Sequence, residues 1–311
     1  MTRRVKWAII GACAALALAG GLLVAWHVRA RWLAEEAARL QAEAEAKAAA
    51  EREELYRQFG IDAPGTRRFV PLPSILSHNH GRAEIGKKLF NDSRLTCSRK
   101  TKALVCGACH WLGAGGTDSR IHHGVLTRPV YNAPFATSYL HDGSLPNLHA
   151  AVGKMIEHPH YSGGGPLAGV AARLAEDANL AARFKFEYGE DGLAGSNVVD
   201  VVVEYLKTLV TEGTPYDYWC AGHTESLSPE QRRGSEVFLA AKCMDCHDGP
   251  VLGGRKVSRG RKVSALRGLR LRNAYLTEGK VKDLDAVIPL MPGGSLPPEE
   301  RKALVAFLQA L

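Results

Sequence analysis

The sequence predicts an all-α chain in which two helical modules stand in tandem behind one N-terminal transmembrane helix and a helical stalk. Three observations predict it: an apolar N-terminal run flanked by basic residues, a following stretch free of glycine and proline, and an internal repeat that fills the remainder. The 311 residues exceed one ordinary domain, and two modules of common size remain once the N-terminus is set aside. With 46% apolar and 23% charged residues the composition is close to the globular average, which excludes wholesale disorder, a collagen-like fibre and a multi-pass membrane protein.

Residues 1–28 are expected to form the anchor. Arg3, Arg4 and Lys6 precede the run from Trp7 to Val28, which is long enough to cross a bilayer at about 20 residues per span, with Trp7 and Trp26 at the interfaces. The N-terminus then lies inside and the body outside. The competing reading is a signal peptide cleaved after Ala17-Leu18-Ala19, which leaves the apolar Gly20 to Trp26 on the mature chain. Cys13 is read as a buried thiol of the anchor, with lipidation as the alternative. Residues 29–59 are rich in Ala, Glu and Arg and read as a continuous helix. Leu33, Leu40 and Leu55 are too sparse for a heptad seam, so a solvated spacer is favoured and a homodimer through it is not demanded. Gly60, Pro64-Gly65, Pro71 and Pro73 end the helix in a linker.

Residues 60–213 and 214–311 are then the two modules, because they carry the same features in the same order. Gly86-Lys87-Lys88-Leu89-Phe90 precedes Cys106-Gly107-Ala108-Cys109-His110, and Gly234-Ser235-Glu236-Val237-Phe238 precedes Cys243-Met244-Asp245-Cys246-His247. Each histidine is followed by a glycine pair, Gly115-Gly116 or Gly253-Gly254, and then by a turn, His141-Asp142-Gly143 or Thr277-Glu278-Gly279. At the same distance beyond each turn comes a methionine, Met155 or Met291. Each half closes on an amphipathic helix, Val203 to Leu209 or Val305 to Leu311.

Cys-x-x-Cys-His is the attachment string of c-type haem: two thiols add to the porphyrin vinyl groups and the adjacent imidazole binds iron. Two copies inside a repeat, behind an export signal, weigh against a zinc or redox Cys-x-x-Cys. Cys106, Cys109, Cys243 and Cys246 are therefore expected to hold two covalently bound haem c groups, with His110 and His247 as iron ligands. Export fits as well, since such thiols stay reduced until ligation and then meet an oxidising compartment. Cys97 and Cys220 remain, either as a disulfide or as two buried thiols.

Together these residues resemble the bacterial dihaem cytochrome c peroxidase and MauG family over residues 70 to 311. Ile85 to Leu95 is similar to that family's opening, Gly115-Gly116-Thr117-Asp118 follows the first haem motif, and Tyr131-Asn132-Ala133-Pro134 resembles its Arg-Asn-x-Pro signature. Pro215-Tyr216-Asp217 leads into the second motif in the family's register, and Val263 to Gly268 resembles its Val-Pro-x-Leu-Arg-Asn string. The resemblance implies two cytochrome-c-like haem domains with a calcium ion between them. One haem meets hydrogen peroxide and the other relays electrons from a small cytochrome c or cupredoxin. It puts Met291 opposite His247 as the electron-transfer ligand, where MauG has tyrosine. It puts His123 on the peroxidatic haem in the resting state, with His122 as a rival, and Asn132 with the carbonyls of Arg272 and Ala274 at calcium.

The departures bear on the chemistry. The family's tryptophan between the haems corresponds to His141, and its catalytic glutamate aligns with Tyr161. Peroxide cleavage needs a base, and tyrosine, with a reference pKa of about 10, is a poor one near neutrality. Glu157, His158 and His160 are the substitutes in reach, each with a plain surface role as its alternative. The repeat adds Met155 as a ligand that would close the first iron, or else as a core side chain. His123, Met155 and an open position exclude one another in any one state.

Arg255, Lys256, Arg259, Arg261, Lys262, Arg267, Arg270 and Arg272 follow the second motif as a basic loop. It suits an acidic electron donor, an anionic lipid surface, or a merely solvated face. Trp111 and Trp219 serve either electron relay or packing. The formal charge of +8 comes with no nucleic-acid motif, so no nucleic-acid partner is expected. Phosphate-loop, nucleophile-elbow and HExxH strings are missing, which leaves hydrolase and nucleotide chemistry without support. The function expected first is a dihaem peroxidase anchored in the inner (cytoplasmic) membrane by a single pass, its body periplasmic. An electron carrier with both irons six-coordinate and a MauG-like oxidase of a partner protein are the alternatives.

Overall fold

A computed structural model describes residues 69–72, 76–95, 105–159, 165–254 and 256–311, with scattered positions between 26 and 43. Residues 1–55 and 56–311 are separate compact units. In the first unit the described positions from Trp26 to Glu43 are helical. Arg31 reaches Glu35 at 4.0 Å and Arg39 reaches Glu43 at 3.8 Å, the spacing at which a helix brings opposite charges together. Among the described residues no helix is long and apolar enough to cross a membrane. Residues 7–25 of the expected span, and with them Cys13, lie outside the described residues.

The second unit is built from α1 (His80–Leu89), α2 (Cys106–Cys109), α3 (Leu148–Glu157), α4 (Leu167–Ala175), α5 (Ala178–Tyr188), α6 (Gly195–Lys207), α7 (Pro215–Cys220), α8 (Pro229–Ala240), α9 (Leu284–Val287) and α10 (Pro298–Gln309). Side-chain caps set several starts. Asn79 accepts from the Arg82 amide and Asn147 from the Ala150 amide, while Thr214 with Asp217 and Ser228 with Gln231 form reciprocal capping boxes. One apolar core runs from Ile85 to Leu209 and includes Phe184, Val198 and Val201. A second runs from Tyr216 to Leu311, and Phe69 of the linker packs against it beside Trp219 and Phe307.

Each core is closed by two helices crossing at a glycine. A Cβ on Gly86 in α1 would lie 1.8 Å from the Val201 carbonyl of α6, and one on Gly234 in α8 would lie 2.0 Å from the Ala303 carbonyl of α10. No side chain fits at either crossing.

The expected all-α class needs one amendment. Two-residue strands β1 (Ile121–His122) and β2 (Val125–Leu126) form a hairpin in the first half, and β3 (Val257–Ser258) and β4 (Arg261–Lys262) form its counterpart in the second. Their loops, His123-Gly124 and Arg259-Gly260, have positive φ at both residues, the geometry of the tightest hairpin turn. These hairpins join the halves reciprocally. The Leu126 amide donates to the Thr277 carbonyl at 2.7 Å, and the Lys262 amide to the His141 carbonyl at 2.8 Å. A Cβ on Gly143 would meet Val257, and one on Gly279 would meet Ile121. Tyr139 and Tyr275 occupy matching bridges, to Leu145 and Val281, so the two halves are related by a pseudo-twofold axis at this contact.

Candidate functional site

The two Cys-x-x-Cys-His strings form short turns that deliver their histidines alike. In the first, α2 is a single turn entered from extended Val105, and the His110 amide donates to the Cys106 carbonyl at 2.8 Å. In the second, a 3-10 turn over Cys243–Asp245 does the same work, with the His247 amide donating to the Cys243 carbonyl at 2.8 Å. His110 Nδ1 lies 3.3 Å from the Gly116 carbonyl, and His247 Nδ1 lies 3.3 Å from the Leu252 carbonyl and 3.1 Å from that of Ser264. A carbonyl only accepts, so Nδ1 carries the proton in both rings and Nε2 presents its lone pair. Burial lowers the pKa of both imidazoles, opposed by those same carbonyl contacts, which keeps the rings neutral as metal ligation requires.

The glycine pairs that match in sequence do not match in space. Gly116 and Leu252 occupy the equivalent carbonyl positions, with φ of 78° and 51°. Gly116 is required in the first half because a Cβ would lie 2.9 Å from the Val130 amide nitrogen.

The thiols fit covalent haem better than an ionic metal. Burial pushes Cys106 up to about 12 and raises Cys109 and Cys243, which disfavours the thiolate that zinc or disulfide exchange would need. A thioether is uncharged and bears the same burial without penalty. Among the described residues the one cluster with metal-ligand spacing is Cys109, Asp118 and His122. There His122 Nε2 pairs with Asp118 Oδ2 at 2.7 Å.

A family model described as di-haem cytochrome c peroxidase matches residues 80–225. The chain is 29% identical over 283 residues to the cytochrome c peroxidase Ccp of Escherichia coli K12, covering 78% of this chain and 60% of that protein. It is 26% identical to the cytochrome c551 peroxidase of Nitrosomonas europaea, covering 83% of it, and 26% identical to the methylamine utilization protein MauG of Methylorubrum extorquens, covering 81%. The chain is thus similar to members of the dihaem cytochrome c peroxidase/MauG family. Solved folds agree. A MauG-like protein associated with microbial copper homeostasis matches with a TM-score of 0.64 at 17% identity, over 80% of this chain and 94% of that one. The dihaem peroxidase BthA of Burkholderia thailandensis matches with 0.61 at 12%, over 79% and 91%.

The two methionines of the repeat diverge. Leu148 and Leu284 begin equivalent helices behind Asn147 and Asp283 caps. In the first half α3 runs unbroken through half-buried Met155 to Glu157. In the second, Pro289 lies in a 3-10 turn over Ile288–Leu290, and Met291 follows in extended conformation. Met291 is thus on a strap and Met155 on a helix, between the buried Ala151 and Ile156.

His123 sits exposed at the tip of the β1–β2 hairpin with φ of 51°. Glu157 Oε1 accepts the Leu167 amide at 3.0 Å, which ties the end of α3 to the start of α4. His160 and Tyr161 lie outside the described residues, as does Cys97, while the Cys220 thiol is half-buried and pushed up to about 12 by burial. Trp111 is exposed beside the first motif, and Trp219 packs in the second core.

Two of the residues expected at calcium have hydrogen-bond partners within the chain. The Asn132 amide closes on Thr211 at both ends, at 2.7 and 2.9 Å, and the Arg272 carbonyl accepts the Tyr275 hydroxyl at 2.9 Å.

Sequence reasoning missed what happens where the halves meet. His141 lies at that contact through its carbonyl; its Nδ1 is buried without a partner, and burial together with Arg128 pushes the ring down to about 4. Arg128 Nη2 reaches the Lys262 carbonyl at 3.0 Å and Nη1 reaches Ser264 Oγ at 3.4 Å. The basic loop is also not one solvated face. Arg259 and Arg261 are exposed, whereas Arg267 is fully buried on Asp217. No periodicity marks which member of a basic run turns inward.

Proposed function

We propose that the chain is a dihaem c-type cytochrome that reduces hydrogen peroxide at its first centre with electrons received at its second from a small cytochrome c or cupredoxin. Haem attached at Cys106/Cys109 and Cys243/Cys246 would supply one-electron chemistry and an iron able to bind peroxide. The peroxidase relatives from Escherichia coli and Nitrosomonas europaea support the activity. The observation that carries the division of labour is the divergence of the two methionines. Met291 is presented by a strap, as a thioether ligand opposite His247 would be, while Met155 stays on a continuous helix, which suits a first centre left for substrate. His110 and His247 are oriented by Nδ1–H bonds to backbone carbonyls, which fix the ring and raise the donor strength of Nε2.

The proton-moving group at the first centre is assigned to the end of α3 and the residues after it. Glu157 accepts the Leu167 amide through one carboxylate oxygen, which leaves the other to move a proton, with His158, His160 and Tyr161 as the alternatives. Absorption and electron spin resonance of the purified chain, followed by peroxide-dependent oxidation of a reduced cytochrome, test the proposal. A high-spin ferric signal, present at rest or after one-electron reduction, together with turnover is expected. Two low-spin centres inert to peroxide in every redox state would overturn it.

The engagement of Glu157 and the tyrosine at position 161 favour a second reading, an electron carrier with two six-coordinate irons. MauG-like oxidation of a partner protein is disfavoured by methionine at position 291. The localisation proposed is a single N-terminal pass through the inner membrane with a periplasmic body, supported by the apolar run from Trp7 to Val28 and by the chemistry of haem attachment. Protease digestion of intact spheroplasts should degrade residues 56–311 and spare the N-terminus.

A further inference from the structure

Three cations meet between the two motif turns with no acid hydrogen-bonded to them among the described residues. Among the described residues Arg128 donates to Ser264 Oγ and to the carbonyls of Lys262 and His141, and Arg272 to the carbonyls of Ala265 and Arg267. The Nε atoms of both guanidinium groups are buried with no hydrogen-bond partner. The Lys262 ammonium lies 5.0 Å from the centre of the Tyr139 ring. Burial pushes Arg128 and Arg272 down to about 10, and burial followed by the charge of Arg128 pushes Lys262 down to about 7. The acid whose charge reaches Arg128 is Asp142, which is exposed and accepts the Ser144 amide. Arg261, next in sequence to Lys262, is paired with Glu278 and takes no part.

The fold does not require these charges. Across the pseudo-twofold axis Arg128 corresponds to Ser264, Lys262 to Leu126 and Arg272 to Ala136, so the same backbone forms with no charge at each position. Partly buried and unpaired, each cation costs stability unless an anion arrives. The cluster also touches both centres. The Arg128 carbonyl faces the His110 ring, and its guanidinium bonds Ser264, whose carbonyl is 3.1 Å from His247 Nδ1.

We infer that Arg128, Lys262 and Arg272 form a carboxylate cradle between the centres and that its ligands are haem propionates. The inference rests on the haem reading above. Each ring attached at a Cys-x-x-Cys-His string carries two propionates, and guanidinium binds carboxylate through paired N–H donors, which the two idle Nε–H groups would complete.

The test is spectroelectrochemical titration of the full chain and of Arg128→Met, Lys262→Met and Arg272→Met. Haem content is measured first on each as the alkaline pyridine spectrum. A cation held on a propionate favours the reduced iron, so its removal lowers the midpoint potential of at least one centre. The expected shift is about tenfold in the reduced-to-oxidised ratio at fixed potential, about 59 mV for one electron. Arg128→Lys should restore most of it, which a merely structural role would not predict. Should one methionine variant fail to mature, the other two decide. Unchanged potentials in variants carrying two haems per chain would overturn the cradle and leave the haem reading standing. An unmodified chain without bound tetrapyrrole would overturn both.

Discussion

Replacing Gly234 by alanine tests the helix crossing that closes the second core. The added Cβ would lie 2.0 Å from the Ala303 carbonyl oxygen and 2.6 Å from Phe307 Cβ. Ordinary carbon contacts begin near 3.5 Å, so α8 and α10 would have to part by about 1.5 Å. Neither obstacle can rotate away, since one is backbone and the other is the first atom of a buried side chain. Overpacking of this kind costs about 1–3 kcal/mol, and the shortness of the carbonyl contact puts Gly234→Ala at the upper end, about 3 kcal/mol. For a compact unit of the size of residues 56–311 each kcal/mol moves Tm by about 2–4 °C, giving a fall of about 6–12 °C. The assay is thermal unfolding followed by circular dichroism, with Gly169→Ala as the contrast. Gly169 lies on α4 with only the Arg173 guanidinium within 4 Å of a new Cβ, so helix propensity should stabilise that variant by about 0.5–1 kcal/mol. A Gly234→Ala chain melting within about 2 °C of the parent would refute the packing argument, because no contact on that crossing has room to give.

Other perturbations separate the parts of the molecule. Met291→Leu should abolish any sulfur-to-iron charge-transfer absorption, whereas Met155→Leu should leave both centres spectrally unchanged; a change in the second variant would make Met155 a ligand. Asp200 is held down to about 2: burial raises it, but hydrogen bonds from His149 and Tyr188 and the charge of Arg82 outweigh that. A depressed carboxylate gives its stability above the unfolded value near 3.9 and loses it as pH falls toward 2, so Asp200→Asn should remove about 2 kcal/mol at neutral pH and flatten acid unfolding between those limits. An unaltered acid-unfolding curve would show that the pairing is not what lowers the group. Asp217→Ala strands the fully buried Arg267 and frees the Leu72 and Thr214 amides, which should cost about 3–5 kcal/mol in denaturant unfolding. A loss under about 1 kcal/mol would mean that water reaches Arg267.

The two motif turns were legible because the motif is local: both thiols and the imidazole lie within five residues, and that spacing is written twice. The repeat that contains Gly86 and Gly234 was legible too, though not the helix crossings the two glycines serve. The hairpins were not. Strands of two residues are too short for an alternating pattern, and their turns use His123 and Arg259 where asparagine or glycine would have been a signal. The glycine pairs misled the register, because Leu252 adopts the left-handed conformation that Gly116 adopts in the other half, and conformation sets the equivalence where identity does not. Met155 and Met291 occupy one sequence position with two backbone fates, decided by Pro289. The inward turn of Arg272 and Lys262 depends on contacts between distant segments, which a window along the chain does not contain.

The exchange of one peptide hydrogen bond each way, Leu126 to Thr277 and Lys262 to His141, makes the contact between the halves self-complementary. Self-complementary contacts saturate: once the two patches have found each other, none is left over to recruit a third. The duplication has thereby internalised what would otherwise be a dimerisation surface, and it shields the short strand edges that could invite stray pairing. Any assembly between separate copies of this protein must draw on other faces.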